Sequence, residues 1–172
     1  ATVEVETGYP YDGRVRVRVT EDPVGTWTLA LRVPHWAGSV AATVNGEAVD
    51  AGPSEGWLRI ERAWQPGDEV ELELPLTPRF TYADPRVDAD RGLVAVERGP
   101  LVYCVEAVDQ PGVRLDDVVV DTSQDPAVGG PVDELGGAVS LQLAAVARRR
   151  DDGSWWPYAS STAASTESDG DR

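Results

Sequence analysis

The sequence predicts an all-β fold with almost no helix, built from two consecutive antiparallel β-sandwich (jelly-roll-like) units. The main observation is a hydrophobic period of two: apolar and charged residues alternate through several segments. The second is that no window combines a 3.6-residue apolar period with helix caps. The third is turn chemistry, because glycine, proline and asparagine separate the alternating segments. Such segments are typical of antiparallel strands with one face on a core and one in water.

The clearest strands lie in the first half of the chain. Residues 15–19 alternate valine with arginine, residues 27–33 alternate large apolar with polar or small residues, and residues 70–74 alternate apolar residues with glutamate. Trp27 is expected on the inward face of its strand. Between these segments, Asn45-Gly46 predicts a type I′ hairpin turn, because both central residues of such a turn need positive φ.

The pattern changes between residues 75 and 92, where three prolines and a charged run interrupt the alternation. We interpret this stretch as the crossing between a first sandwich at residues 1–82 and a second at residues 83–159. The second sandwich begins with apolar runs at 93–96 and 101–105, which are typical of strands covered on both faces.

The rest of the second sandwich is less regular. Strands are expected near residues 118–120 and 139–146, and a long loop over residues 123–137, which are rich in glycine and proline. Residues 160–172 contain no large apolar side chain, so they are predicted to form a disordered tail.

Six short phrases keep their order through the chain: GYPYDG (8–13), LRVPHWA (31–37), VNGE (44–47), GWLRI (56–60), PGD (66–68) and RGPLVYC (98–104). Together they resemble the C-terminal β-sandwich region of glycoside hydrolase family 127, the β-L-arabinofuranosidase-like proteins. The resemblance covers roughly residues 5–110. It implies that the chain is a non-catalytic accessory region of a larger glycoside hydrolase, packing on a catalytic (α/α)6 barrel that this sequence does not contain.

The resemblance also implies what the chain does not supply. In the family, the barrel holds a zinc site of cysteines and a glutamate, and one of these cysteines is thought to be the nucleophile. We therefore expect this chain to have no catalytic residue, metal or cofactor, and no enzymatic activity without the barrel. The implied partner is the barrel of the same polypeptide, with a homodimer as a further expectation. The family's last strand begins with a phrase similar to residues 157–159, but the residues after it differ, so the second sandwich is expected to lack that strand.

Two reactive side chains invite a catalytic interpretation. His35 is the only histidine, and it follows a strand beside Trp36, so we expect its ring to pack there and bond to local backbone. Cys104 is the only cysteine and has no nearby histidine, whereas tetrahedral zinc needs about four converging ligands. Cys104 is therefore expected to be a buried thiol that packs as a small hydrophobe.

One structural junction is expected at Arg98-Gly99-Pro100. The glycine and the proline require a special backbone there, and Arg98 is expected to anchor a carboxylate or backbone carbonyls between the two sandwiches.

An aromatic cluster supports an alternative function. Trp155, Trp156 and Tyr158 lie close together in sequence, and exposed aromatic rings can stack on the apolar C–H faces of sugars. The alternative is an autonomous carbohydrate-binding module that uses this cluster as its sugar platform. A self-sufficient hydrolase is a third hypothesis, but no pair among the many carboxylates stands out by its spacing.

Charge and composition exclude other classes of partner. The net charge of −15 repels phosphate backbones and anionic lipid, so we expect no nucleic-acid or membrane-surface partner. No segment approaches the roughly 20 apolar residues of a membrane span. One cysteine excludes an internal disulfide. Because no signal peptide is visible, a cytoplasmic location is favoured over a secreted one.

Overall fold

The computed structural model describes residues 1–21, 25–49, 52–132 and 135–148. In these ranges the chain forms antiparallel strands and short 3-10 helices, and no α-helix is found in them. The prediction of an all-β fold is thus confirmed. The strands are β1 (Thr2–Thr7), β2 (Arg14–Glu21), β3 (Thr26–Arg32), β4 (Ala41–Val44), β5 (Glu47–Ala48), β6 (Trp57–Ala63), β7 (Glu69–Glu73), β8 (Pro78–Tyr82), β9 (Val94–Arg98), β10 (Leu101–Tyr103), β11 (Val118–Val120), β12 (Ala127–Pro131), β13 (Val139–Gln142) and β14 (Ala145–Ala147). The 3-10 helices are His35–Ala37, Asp88–Asp90, Ala107–Asp109 and Leu115–Asp117.

The first seven strands form two sheets of unequal width. One sheet has five strands in the order β1-β2-β7-β4-β5, and the other is the pair β3-β6. Buried side chains of both sheets form one core, so the narrow sheet covers the middle of the wide one. Trp64, just after β6, is fully buried, and its indole N–H donates to the carbonyl of Trp27 at 3.0 Å. The other buried core residues are Val17, Val19, Val33, Ala37, Val44, Leu58, Ile60, Val70, Leu72 and Leu74.

The wide sheet extends beyond its cover at β1. Val3 and Val5 lie opposite Val19 and Val17, so they point to the core side of the sheet. Val17 and Val19 are 3% and 0% exposed, whereas Val3 and Val5 are 38% and 60% exposed. The core-side face of β1 is therefore an uncovered apolar edge.

The outer face of the wide sheet is charged. Arg16 lies 3.3 Å from Glu69, 3.2 Å from Glu71 and 3.2 Å from Glu6, so one guanidinium on β2 links the strands on both sides. The hydrogen bond to Glu71 is the main reason why the pKa of Arg16 is raised. The predicted alternation of valine inside and arginine outside on β2 is confirmed.

Hydrogen bonds to the Asp68 side chain fix the hairpin between β4 and β5. Asn45 and Gly46 both have positive φ (52° and 82°), as the type I′ prediction requires. Asn45 Nδ2 donates to Asp68 Oδ1 at 2.8 Å, and the Gln65 backbone N–H donates to Asp68 Oδ2 at 2.9 Å. These donors, the Asn45 amide first, lower the pKa of the buried Asp68 carboxyl.

The next three strands form a separate sheet in the order β10-β9-β8. Strand β8 lies inside the stretch that the sequence predicted as a crossing, and it pairs with β9 rather than with the first sheets. Pro78 is compatible with this strand, because a strand at a sheet edge tolerates a proline at its first residue.

Four short strands complete the described fold as the pairs β11-β14 and β12-β13. Strand β12 falls within residues 123–137, so the prediction of a continuous loop there was wrong. The sequence did not indicate this strand, because Gly129 and Gly130 lie within it and glycine has a low β-propensity. The predicted tail, residues 160–172, and the expected missing last strand concern a part of the chain outside the described ranges. No helix of the described residues has the length and apolar character needed to cross a membrane.

Candidate functional site

The β8-β9 pair places two opposite charges on one face of the three-stranded sheet. Arg79 lies directly opposite Glu97 in the strand register, and the two side chains form an ion pair. Arg79 Nη1 also donates to the Gly99 carbonyl at 3.1 Å. Its guanidinium carbon lies 6.0 Å from the ring centroid of Trp36, which belongs to the first part of the chain. Arg79 is thus a bridge between the three-stranded sheet and the sandwich before it.

The turn between β9 and β10 packs closely at the same place. Gly99 has φ of +58°, and a Cβ there would lie 2.6 Å from Leu76 Cδ2 and 3.6 Å from Trp36 Cη2. The left-handed backbone favours glycine at this position, and a larger residue would also have to displace the end of the Leu76 side chain.

Arg98 points to the opposite face of the sheet. Its Nη1 donates to the Tyr11 carbonyl at 3.3 Å, and its buried Nε has no hydrogen-bond partner among the described residues. Arg98 and Gly99, at the end of β9, thus approach residues of the first part of the chain. The assignment of Arg98-Gly99-Pro100 as a structural junction stays a prediction.

A cleft of about 370 Å³ opens at this junction. Arg79, the cation in this cleft, is already engaged, because it is held by Glu97, by Gly99 and by the face of Trp36. His35 is exposed at the cleft and makes no hydrogen bond within the described chain, so the expected bond to local backbone is not found. The remaining lining residues are Thr81 and Pro100. The contacts of Arg79 indicate that this cleft has a structural role more than a ligand-binding one.

A larger groove of about 600 Å³ lies beyond the end of β8. We call it the loop groove, since residues 82–94 form one wall and β11, with neighbouring Asp116 and Arg148, forms the other. Tyr82 and Leu93 are 60% and 62% exposed in the first wall. The half-buried valines of β11 line the opposite wall. The lining of the groove therefore combines apolar side chains with charged ones, and we call the charged lining residues its rim.

The first wall of the loop groove is held by local bonds. Arg86 donates to both carboxylate oxygens of Asp84, from Nε at 2.9 Å and from Nη2 at 2.7 Å. This contact lowers the pKa of the exposed Asp84 carboxyl. Two backbone turns follow, from Val87 N–H to Asp84 O at 2.8 Å and from Leu93 N–H to Asp90 O at 3.0 Å. Sequence reasoning missed this groove, although Tyr82 before the charged run 84–91 was a signal for its first wall.

Cys104 does not match its prediction. The thiol is exposed, because β10 ends at Tyr103 and the chain leaves the sheet before the cysteine. The apolar run 101–105 thus lies at a sheet edge instead of between two covering layers. Within the described ranges, no group of three or more histidine, cysteine or carboxylate side chains is placed to hold a metal ion. The aromatic cluster of Trp155, Trp156 and Tyr158 lies outside the described residues.

Two family models match nearly all of the chain. Residues 1–76 match the model described as β-L-arabinofuranosidase, GH127 middle domain. Residues 78–162 match the glycoside hydrolase family 127 C-terminal domain.

Individual relatives show the same similarity. The non-reducing end β-L-arabinofuranosidase of Bifidobacterium longum subsp. longum is 39% identical over 88% of this chain and 24% of its own length. The crystal structure of a GH127 β-L-arabinofuranosidase from Geobacillus stearothermophilus T6 superposes with a TM-score of 0.81. It is 36% identical over 91% of this chain and 25% of its own. A GH127 β-arabinofuranosidase structure gives a TM-score of 0.63 at 28% identity, covering 83% of this chain and 28% of that one. The chain thus spans about a quarter of the relatives it matches.

Proposed function

Since the chain belongs to glycoside hydrolase family 127, with its middle and C-terminal domains, we propose that it is the non-catalytic accessory region of a β-L-arabinofuranosidase-like enzyme. The observation that carries the proposal is the pair of domain matches, which occupy nearly all of this chain but only a quarter of each relative. The chemistry then belongs to the remaining three quarters. The parent enzyme is proposed to release β-L-arabinofuranose or a related sugar.

The uncovered edge of β1 supports packing on the catalytic barrel. The middle-domain match includes β1, and a domain called middle follows another domain in its family. Val3 and Val5 thus expose apolar side chains on the first strand of the middle domain. Burying them against an apolar helix surface would stabilise the contact by about 25 cal/mol per Å² of apolar area. We propose this contact with the barrel as the main partnership, and contact with a second copy of the chain as a lesser one.

A chimera tests the proposal. The part of the Bifidobacterium longum enzyme that aligns with this chain is deleted in one variant and replaced by this chain in another. We expect the deletion to lower soluble yield and thermal stability, and the replacement to restore both, together with hydrolysis of a chromogenic β-L-arabinofuranoside. The isolated chain should show no turnover of this substrate. Turnover by the isolated chain, or a deletion variant with normal stability and activity, would contradict the proposal.

The docking edge can be tested in the same chimera. Val5→Ser should lower the melting temperature of the chimera more than that of the isolated chain, because the side chain is exposed until the barrel covers it. Glu4→Gln is the matched control, since Glu4 is also exposed on β1 but points to the other face. Equal effects of the two substitutions would exclude this edge as the contact.

A second candidate function is a carbohydrate-binding module. The loop groove favours it, because it combines exposed apolar side chains with a charged rim. The two functions are compatible, since one enzyme can hold both a structural contact and a glycan subsite.

A further inference from the structure

We propose that the loop groove is a binding site for pentose-containing oligosaccharides, with Tyr82 as the platform on which a sugar ring stacks. The sugar class rests on the proposed function, whereas the site itself rests on the geometry of this chain. The residues differ from the aromatic cluster that the sequence suggested.

The size and the lining of the groove fit a short saccharide. Its volume of about 600 Å³ lies within the range of roughly 300 to 1,000 Å³ that is usual for small-molecule sites. A sugar has apolar C–H faces and a polar hydroxyl rim. The groove presents both kinds of surface, because Tyr82, Leu93 and the β11 valines line it together with charged residues.

Tyr82 is placed to serve as the platform. It is the last residue of β8, and it is 60% exposed although its cross-strand partner Val94 is half-buried. Leu93, 62% exposed, precedes that partner. The groove thus has two exposed large apolar side chains in its lining.

The rim supplies both hydrogen-bond acceptors and hydrogen-bond donors. Asp84, Asp90 and Asp116 provide carboxylate acceptors for sugar hydroxyls, and Arg91 and Arg148 provide guanidinium donors. Asp84 is fixed by its two bonds from Arg86, and Arg91 forms an ion pair with Asp88. Such held groups lose little conformational entropy when a ligand binds.

The charge of the groove disfavours an anionic ligand. Three carboxylates outnumber the two guanidinium groups at the rim, and the whole chain carries a net charge of −15. A phosphate or an acidic peptide would be repelled, whereas a neutral polyol would not.

Calorimetric titration of the complete chain tests the inference. The probes are linear arabino-oligosaccharides and methyl β-L-arabinofuranoside, with sodium phosphate as the anionic control. We expect saturable binding of the oligosaccharide and none of phosphate. Tyr82→Ala should weaken binding about tenfold or more, which corresponds to about 1.4 kcal/mol, because it removes the aromatic face on which the sugar ring stacks.

Two variants separate stacking from folding. Tyr82→Phe keeps the ring and should bind within about threefold of the parent chain. Val102→Ala changes a side chain that is 68% exposed on the opposite face of the same sheet, and it should leave binding unchanged. Near-ultraviolet circular dichroism checks that all three variants stay folded. Absence of oligosaccharide binding, or binding that Tyr82→Ala leaves unaltered, overturns the inference.

The chimera distinguishes this failure from failure of the accessory role. If the chimera is stable and hydrolyses the chromogenic substrate while the chain binds no oligosaccharide, only the groove inference is wrong. If the chain binds oligosaccharide through Tyr82 but the chimera is inactive and unstable, only the accessory role is wrong.

Discussion

Replacing Asp68 by alanine removes the carboxylate that joins the β4-β5 hairpin to the turn before β7. This carboxylate accepts bonds from Asn45 at 2.8 Å and from Gln65 at 2.9 Å, and Arg62 lies 3.9 Å away. We count about 1 kcal/mol for each hydrogen bond and nothing for the long ion pair, because Arg62 is partly exposed. The free energy of unfolding at neutral pH should therefore fall by about 2 kcal/mol.

Urea denaturation followed by tryptophan fluorescence measures this loss, since Trp64 is fully buried in the same unit. Asp121→Ala is the matched control. Its carboxylate also accepts bonds, from Ser123 and Gln124, but Asp121 is exposed and these partners lie within three residues. We expect the control to cost less than about 0.5 kcal/mol. An Asp68→Ala midpoint no lower than that of the control would refute the reasoning.

The same pair of proteins has a defined pH dependence. The pKa of Asp68 is lower in the folded chain, mainly because of the Asn45 amide, so at acid pH the unfolded chain binds more protons. The stabilising contribution of the carboxylate is present above the unfolded pKa of about 3.9 and is lost as the pH falls through the lower folded value. The stability difference between parent and Asp68→Ala should therefore shrink below about pH 4. A difference that stays constant at lower pH would show that the charge of Asp68 is not responsible.

Three further predictions concern packing and exposure. Gly13→Ala would place a Cβ 1.9 Å from the Leu74 carbonyl oxygen, and this clash with backbone should cost about 3 kcal/mol or more by urea denaturation; a loss under about 1 kcal/mol would contradict the close approach. Trp64→Ala empties the centre of the core and should cost about 3–5 kcal/mol, measured by circular dichroism because the fluorescent reporter is removed; a cost near that of a surface substitution would contradict its full burial. Cys104 should react with a thiol reagent in the folded chain nearly as fast as in urea, since it is exposed, and strong protection would show that the thiol is covered.

Local signals in the sequence were sufficient for part of the fold. On β2, valine and arginine alternate so regularly that only one orientation of the strand buries the apolar side chains. Asn45-Gly46 specifies its own turn, because few other residues adopt positive φ at both positions. In both cases the physical cause lies within a few neighbouring residues.

Features that depend on distant partners could not be predicted in this way. The exposure of Cys104 follows from β10 lying at the edge of its sheet, and the sequence does not say which strands lie at edges. The loop groove needs Tyr82 on one wall and β11 on the other, with the intervening residues folded into other strands. Nothing near Tyr82 in the sequence indicates that second wall.

The charged side chains on β2 and its neighbouring strands make the outer face of the wide sheet unsuitable for apolar contacts. Any apolar neighbour that settled on that side would strip water from Arg14, Arg16 and the glutamates that surround them, without supplying new partners in return. This desolvation penalty disfavours assemblies in which the charged face of the wide sheet is buried against an apolar partner. In a larger assembly, apolar contacts can therefore form only at the flanks and on the opposite side of the sandwich.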